Sequence, residues 1–266
     1  MGKKEDYTIQ TFPSSRIFTG DIGQLGLQKH HVKALLEIDV TEAREKIKSK
    51  KSDGDKISFT SWIIKCIGQA IFEHKQIHSL KKGRRRLIIF DDVDITIVVE
   101  KDVNGTPVPL PLVIREVNNK DIHKIYNEIE SAKNQLIDNE NNYVLKEKKN
   151  NFFLDMFLML PQFIRLTIWK IVLLNPFRVK KMMGTAIVTS LGMTGNVNGW
   201  IIPYSIHPVC FAIGSITEKP AIINQQIETR KFLQMTTLID HDVIDGAPAA
   251  RFVSRLQELI MNCYNL

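Results

Sequence analysis

The irregular order of strand-like and helix-like segments most constrains the fold of this 266-residue chain. Runs of β-branched and aliphatic residues predict strands at 34–40, 94–99, 110–114, 185–190, 209–216 and 232–240. Helix-like segments separate only some of these runs, and no glycine-rich phosphate loop follows any of them. A doubly wound fold needs a regular strand–helix repeat. The pattern therefore favours the α/β class in the form of an α+β two-layer sandwich with a mixed sheet, and we expect residues 1–266 to form a single domain.

The helix-like segments have recognisable ends. Thr41 is a suitable N-cap for a short charged helix that reaches about Lys50, and a longer helix is expected from about Ser61 to Ile77. Two further helices are expected to bury one face each. These faces consist of Ile122, Ile125, Ile129 and Leu136 in the first, and of Phe252, Val253, Leu256, Leu259 and Ile260 in a final helix that starts near Ala247.

Proline and glycine mark the remaining segments. Pro111 predicts that strand 110–114 lies at an edge of the sheet or carries a bulge. Residues 1–30 are expected to be irregular, because the segment contains Pro13, Gly20, Gly23 and Gly26.

The segment 152–177 is unusually apolar and is predicted to be an insertion within the domain. Asp155, Pro161, Arg165 and Lys170 interrupt it, so no run reaches the roughly 18–20 residues that a bilayer-spanning helix requires. One interpretation is a helical hairpin packed on the body or at a subunit interface. The other is a helix that contacts a membrane surface, or a sleeve for an acyl chain.

The charge balance is basic. The chain has 36 Lys and Arg against 29 Asp and Glu, a formal net charge of +7. That excess suits an anionic partner such as a phosphorylated cofactor, a nucleic acid or a membrane. The basic run 81–86 is short and has no interleaved aromatic residue, so we interpret it as a solvated hairpin turn and expect no nucleic-acid partner.

The cysteines and histidines exclude several kinds of site. Cys66, Cys210 and Cys263 are odd in number and far apart, which argues against a disulfide framework or a zinc ribbon. The histidines lack partners at metal-ligand spacing, so no metal is expected. The N-terminal residues lack the apolar run of a signal peptide, and the prediction is a cytoplasmic protein.

His241 is the best candidate for a catalytic residue. It follows the strand 232–240 directly, where a strand passes into a loop and functional groups are often positioned. Asp245 comes four residues later and could brace that loop, and Gly246 allows a tight turn into the last helix. An imidazole titrates near neutrality and can act as the base for a thiol or a hydroxyl. On spacing alone, a purely structural loop remains an equal alternative.

Three sequence motifs resemble those of a known family. His241-x-x-x-Asp245-Gly246 and the following Ala247-x-Ala249-Ala250-Arg251-Phe252 resemble the signature of 2-oxoacid dehydrogenase acyltransferase catalytic domains and of chloramphenicol acetyltransferases. The segment 184–195 resembles the part of those domains that supplies the oxyanion hydroxyl, and 94–109 resembles their central strand and loop. The resemblance covers roughly residues 30–140 and 182–264.

This resemblance implies a fold, an assembly and a reaction. The fold would be that of chloramphenicol acetyltransferase, assembled as homotrimers or larger oligomers. Coenzyme A would carry the acyl group, and His241 would be the general base opposite an oxyanion donor on the neighbouring subunit. Alignment on Leu191-Gly192-Met193 makes Thr189 the first choice for that donor and Ser190 the second. Asp245 would be structural or would orient the base.

The sequence also departs from the family pattern. Asp242 stands where the family usually has arginine after the histidine, and Arg16 is the one residue near the N-terminus that we expect could pair with Asp245. No lipoyl domain precedes the catalytic region, so a lipoyl acceptor would come on a separate carrier protein. Two alternatives stay open, which are a catalytically silent oligomeric scaffold or binding subunit and a small-molecule O-acetyltransferase.

Overall fold

A computed structural model describes residues 7–8, 14–103, 106–135, 156–190 and 198–266, without the side chains of 14–15 and 101–109. The helices are α1 (Ser14–Gly26), α2 (Thr41–Ser52), α3 (Phe59–Glu73), α4 (Ile122–Asn134), α5 (Gln162–Leu173), α6 (Pro176–Met183) and α7 (Gly246–Met261). The strands are β1 (His31–Asp39), β2 (Leu80–Lys82), β3 (Arg86–Ile88), β4 (Ile95–Val103), β5 (Thr106–Ile114), β6 (Ala186–Ser190), β7 (Val209–Ile223) and β8 (Gln226–Asp240). The predictions for Leu136 and for Leu191-Gly192-Met193 fall outside the described residues.

Six strands form one mixed sheet, as the sequence predicts, and the structure shows their order to be β1-β8-β7-β6-β4-β5. Strands β4, β6 and β7 run parallel to one another, and the remaining neighbours are antiparallel. Pro111 lies on β5 at the sheet edge, where a missing backbone N–H costs no ladder hydrogen bond. Strands β2 and β3 form a separate hairpin around the basic turn.

Helices α2, α3, α4 and α7 cover one face of the sheet and enclose the main apolar core. Alternate residues of the strands point into that core, as the period of two requires. Ser58 caps α3 by accepting from the amide of Ser61, and the hydroxyl of Ser61 accepts from the amide of Ser58. The final helix buries Phe252, Leu256, Leu259 and Ile260, as expected.

The opposite face of the sheet is partly open. Leu35 of β1 and Val98 of β4 are 49% and 38% exposed. Part of this face is crossed by the segment 198–208, in which the Trp200 indole N–H donates to the carbonyl of Leu36 at 2.9 Å. The two-layer prediction therefore holds for most of the sheet.

The expectation of an irregular N-terminal segment is wrong for residues 14–26, which form α1. Gly20 and Gly23 lower the helix propensity. Packing compensates, because Leu25 of α1 contacts a second apolar cluster that includes Trp169 of α5. A buried ion pair also joins the two helices, with Arg165 Nε 2.7 Å from Asp21 Oδ2 and Arg165 Nη2 3.0 Å from Asp21 Oδ1.

Two helix ends also differ from the sequence prediction. Helix α3 begins earlier and ends at Glu73, and a short 3-10 turn covers Lys75–His78. Thr41 is the first helical residue of α2, and Val40 is the N-cap. The Thr41 hydroxyl does not cap the helix but donates back to Asp39 Oδ1 at 2.6 Å.

The described part of the apolar segment is helical. Helix α5 packs on α1, and α6 follows it after a turn at Asn175, whose side chain accepts from the amides of Phe177 and Arg178. Among the described residues, no helix is long and apolar enough to cross a membrane.

Candidate active site

His241 lies at the first turn position after β8 and is exposed to solvent. Its backbone N–H donates to the carbonyl of His30 at 3.0 Å, which continues the β1–β8 ladder by one residue. Its imidazole makes no hydrogen bond with any residue that the structure describes. The ring is therefore open to a partner from outside this chain.

The residue before His241 anchors the turn. Asp240 is fully buried, and its Oδ2 accepts from Lys29 Nζ at 2.7 Å. Its Oδ1 accepts from the amide of Asp242 at 3.2 Å, and its backbone N–H donates to the carbonyl of Pro208 at 2.8 Å. The Lys29 cation and the Asp242 amide are the partners that the buried carboxylate needs, and with the backbone bond to Pro208 they hold the backbone that carries His241.

The residue after His241 is the carboxylate that departs from the family pattern. Asp242 Oδ1 lies 3.0 Å from His30 Nδ1, and its Oδ2 lies 3.4 Å from Lys81 Nζ at the basic hairpin. The hydrogen bond from His30 is the main reason that the pKa of the Asp242 carboxyl is lowered; burial acts in the opposite direction, and the charge of Lys81 lowers the pKa further. Asp242 thus joins the turn to two neighbouring segments of the chain.

Asp245 begins α7 as its N-cap residue, and the amide of Ala249 donates to its backbone carbonyl at 3.1 Å. Its carboxylate makes no hydrogen bond or ion pair with any described residue, Arg16 and His241 included. Its negative charge at a helix N-terminus is favourable. Within one chain, the carboxylate does not orient the imidazole.

Thr189 and Ser190 are the last two residues of β6 and are both half-buried. Thr189 pairs with Ala212 of β7, which in turn pairs with Thr236 of β8. Residues paired in this way point to the same side, which places the hydroxyl of Thr189 on the partly open face. Neither hydroxyl has a hydrogen-bond partner among the described residues.

The sheet register separates His241 from Thr189 of the same chain. Thr189 of β6 is in register with Thr236 of β8, which lies two strands away across β7. His241 comes five residues after Thr236. At ~3.4 Å per residue and ~4.8 Å per strand, the two backbone positions lie roughly 19 Å apart. No single carbonyl group could contact both side chains, so a site that uses both needs two copies of the chain.

A groove of about 310 Å³ opens beside His241, between β1 and α7. Its lining is mainly apolar and includes Val32, Ile239, Ile244, Ala249 and Val253. Ser254 and Gln257 supply polar groups toward the far end. A groove of this kind can hold an apolar or amphipathic chain next to the imidazole.

The other histidines near this end of the sheet are structural. His207 is buried, and its Nε2–H donates to the carbonyl of Met183 at 2.8 Å. His78 is buried as well, with Nε2–H toward the carbonyl of Phe90 and Nδ1 accepting from Thr185 at 2.7 Å. Burial lowers the pKa of both His78 and His207 to about 4, so they are neutral near pH 7.

Burial disfavours the thiolate form of all three cysteines. All three thiols are buried and free, and burial raises the pKa of Cys210 to about 12. A thiol of that pKa carries almost no thiolate at neutral pH. In the described ranges, no group of three or more His, Cys, Asp or Glu side chains could hold a metal ion.

Gly184, which opens the second motif, has a structural requirement. Its φ is 68°, and a Cβ there would lie 2.7 Å from the carbonyl oxygen of Asp94. Only glycine fits this turn from α6 into β6 without displacing the backbone. The turn is held further by Arg115, which pairs with Asp94 at 3.0 Å and donates to the carbonyls of Lys180 and Lys181.

The sequence does not predict that Lys29, His30 and Lys81 lie at the His241 turn, where the structure places them. The available signal was Lys29-His30-His31 directly before a strand, but nothing local says that this strand pairs with the one ending at Asp240.

The family model for the 2-oxoacid dehydrogenases acyltransferase (catalytic domain) matches residues 27–143 and 177–266, which is most of the chain. A curated relative is the lipoamide acyltransferase component of the branched-chain alpha-keto acid dehydrogenase complex of Bacillus subtilis. It is 24% identical over 237 residues, covering 86% of this chain and 46% of that protein. The chain thus spans less than half the length of that relative.

Two solved structures share the fold. Azotobacter vinelandii dihydrolipoamide acetyltransferase superposes with a TM-score of 0.69 at 19% identity, over 98% of this chain and 93% of that one. A chloramphenicol acetyltransferase superposes with a TM-score of 0.50 at 14% identity, over 94% and 96%. Both confirm the fold that the sequence motifs predict.

Proposed function

The chain belongs to the family of 2-oxoacid dehydrogenase acyltransferase catalytic domains, and on this basis we propose that it transfers an acyl group between coenzyme A and a thiol acceptor of the lipoyl type. His241 is the general base, and Thr189 of a neighbouring copy donates to the oxyanion. The observation that carries this proposal is the exposed, unpartnered imidazole at the end of β8, beside an apolar groove.

In the proposed reaction, His241 removes the proton from the acceptor thiol. The resulting thiolate adds to the thioester carbonyl of acyl-CoA, and the hydroxyl of Thr189 donates a hydrogen bond to the tetrahedral oxyanion. Collapse breaks the bond to the CoA sulfur, which takes the proton back from the imidazolium. An oxyanion donor of this kind contributes roughly 2.7–4 kcal/mol to the transition state.

The sheet register supports a two-chain site. A separation of roughly 19 Å within one chain excludes joint action of His241 and Thr189 unless a second copy supplies one of them. We therefore propose a homotrimer or a larger homo-oligomer in which each site lies between neighbours. Such a head-to-tail contact closes into a ring and repeats the site at every interface.

Residue spacing gives independent support for the two roles. The study of the A. vinelandii enzyme concerned a serine, a histidine and an asparagine in its catalytic mechanism. In that enzyme the serine lies 52 residues before the histidine, and the asparagine lies four residues after it. Thr189 lies 52 residues before His241 here, and Asp245 lies four residues after it. This favours Thr189 over Ser190 as the donor, and Asp245 as the residue that braces the site in the assembly.

The ligands follow from the chemistry of the site. The groove beside His241 suits the pantetheine arm or the lipoyl chain, which are both long and largely apolar. The excess of basic residues suits the phosphates of CoA. We propose that a lipoyl-bearing carrier domain presents the acceptor thiol.

Release of CoA thiol tests the proposal. Wild type with acyl-CoA and dihydrolipoamide should turn over, and His241→Ala should lose about 10²–10⁴-fold in kcat. His123→Ala is the matched control, because it removes an exposed imidazole that does not line the groove. Absence of turnover with every acyl-CoA tried, or full activity of His241→Ala, would refute the proposal.

A catalytically silent scaffold is the second candidate, and one observation favours it. Among the residues that the structure describes, no carboxylate or carbonyl orients the His241 ring, whereas a positioned base normally has such a partner. If the scaffold is correct, oligomers form normally and neither CoA nor dihydrolipoamide binds. Turnover with a hydroxylated acceptor in place of dihydrolipoamide would instead indicate an O-acetyltransferase, whose fold the chain shares.

A further inference from the structure

Helices α5 and α6 present an exposed apolar stripe to solvent. Phe163 is 70% exposed, Ile171 61%, Leu174 68% and Phe177 55%. Phe163, Ile171 and Leu174 fall on one face of α5 by their helical spacing. Ile171 and Leu174 are neighbours on this face, and Phe163 lies about two turns nearer the start of the helix, so the three form an exposed apolar stripe of the kind that marks an interaction surface.

Basic residues flank this stripe. Lys170, Arg178 and Lys181 are exposed beside it. The whole stretch 156–183 contains five cations and no carboxylate. Arg165 of α5 pairs with the buried carboxylate of Asp21, so its charge is neutralised within the chain.

The basic hairpin continues the same surface. Lys82 of β2 lies over the ring of Phe177, with Nζ 5.4 Å from its centroid. Exposed Arg84, Arg85 and Arg86 follow in the hairpin turn and in β3. Two nearby carboxylates are already paired with lysines, Asp91 with Lys75 and Asp242 with Lys81. The surface is therefore apolar in its middle and cationic at its rim.

For the catalytic-domain family, the matched residues do not include this element. Its model matches the residues on either side and leaves 144–176 unmatched, a stretch that includes all of α5. Two copies of the stripe would also repel each other, because each copy brings only positive charge to the contact.

We propose that this surface, made of α5, α6 and the β2–β3 hairpin, binds the anionic surface of a lipid bilayer. The apolar side chains enter the headgroup–acyl boundary, and the lysines and arginines contact the anionic headgroups. Lys81 joins the hairpin to Asp242, so the His241 turn lies beside the bound membrane. The proposal is independent of the acyl-transfer reaction.

Co-sedimentation of the full chain with lipid vesicles tests the proposal. Wild type should bind vesicles made of equal parts phosphatidylglycerol and phosphatidylcholine, and should bind pure phosphatidylcholine vesicles at least about ten-fold more weakly. The pair Lys170→Gln and Arg178→Gln should weaken binding to the anionic vesicles about 25-fold, since each surface cation contributes roughly five-fold. Phe163→Ser with Leu174→Ser should weaken it by about ten-fold or more.

Matched controls change the same chemistry elsewhere. Ile222→Ser with Ile227→Ser removes two apolar side chains that are 76% and 80% exposed at the β7–β8 tip. Lys46→Gln with Lys48→Gln removes two charges from α2. Both controls should bind the anionic vesicles like wild type.

Three results would overturn the proposal. They are failure of wild type to bind anionic vesicles, equal loss of binding in the controls, and a smaller oligomer for Phe163→Ser with Leu174→Ser. The last result, measured by analytical ultracentrifugation without lipid, would identify the stripe as a contact between copies of the chain. Circular dichroism confirms that each variant is folded.

Discussion

Replacement of Lys29 by methionine tests how the His241 turn is held. The methionine keeps the length and apolar stem of lysine and removes only the charge. Asp240 has no exposed side-chain surface, and Lys29 Nζ lies 2.7 Å from its Oδ2. The variant therefore leaves a buried carboxylate with one remaining donor, the amide of Asp242 at 3.2 Å.

The size of the effect follows from burial. Removing one partner of a buried ion pair costs about 3–5 kcal/mol of folding free energy. The Lys29 side chain is 29% exposed, which adds solvent screening and places the expected loss near the lower end, at about 3 kcal/mol. The double variant Lys29→Met with Asp240→Asn removes the stranded charge and should lose only about 1 kcal/mol. The double variant should thus be about 2 kcal/mol more stable than Lys29→Met alone.

Urea denaturation measures the free energy of unfolding of Lys29→Met and of the double variant. The same variants report on function, because the amide of His241 donates to the carbonyl next to Lys29. A displaced imidazole should lower kcat by about ten-fold or more while KM for acyl-CoA changes little. Loss of less than about 0.5 kcal/mol in Lys29→Met, or a double variant less stable than the single one, would show that this pair does not hold the turn.

Three further predictions concern the rest of the site and its support. His78 and His207 have their pKa lowered to about 4 from 6.5 by burial, so the unfolded chain binds more protons between those values. Stability should therefore fall as the pH drops from 6.5 to 4, by up to about 3 kcal/mol for each histidine, and His207→Gln should flatten that slope in urea titrations at several pH values. Thr189→Ala should lower kcat about 10²–10³-fold, while Ser190→Ala stays within about three-fold in the same assay; the reverse order would assign the donor to the second residue. Arg165→Met strands its buried carboxylate partner and should cost about 3–5 kcal/mol in denaturation, and a loss below 1 kcal/mol would mean that the α1–α5 pair is not needed.

The sequence predicts the sheet better than it predicts the segments around it. Strands such as 94–99 and 232–240 carry dense β-branched and aliphatic runs whose burial alone determines their conformation. Helix α1 lacks such a signal, because its glycines lower local propensity and its stability comes from Trp169 and Arg165, far away in the chain. Contacts of that range are not visible in a local pattern.

The sequence likewise predicts some features of the candidate site and not others. The position of His241 at a strand end follows from the hydrophobic pattern, and the family motifs add its role. The ion pair between Lys29 and Asp240 depends on the pairing of β1 with β8, which joins residues about 200 positions apart. The separation of His241 from Thr189 likewise depends on strand order, so only the structure shows by how far the two are separated within one chain.

Co-expression of two inactive variants tests the central claim most directly. His241→Ala keeps Thr189, and Thr189→Ala keeps His241, so a mixed oligomer can restore a complete site only between subunits. If assembly is random, about one quarter of the interfaces combine both intact residues, and the mixture should regain about one quarter of wild-type CoA release. Differently tagged subunits confirm that mixed oligomers form. Mixed oligomers no more active than either parent would contradict a site shared between two chains.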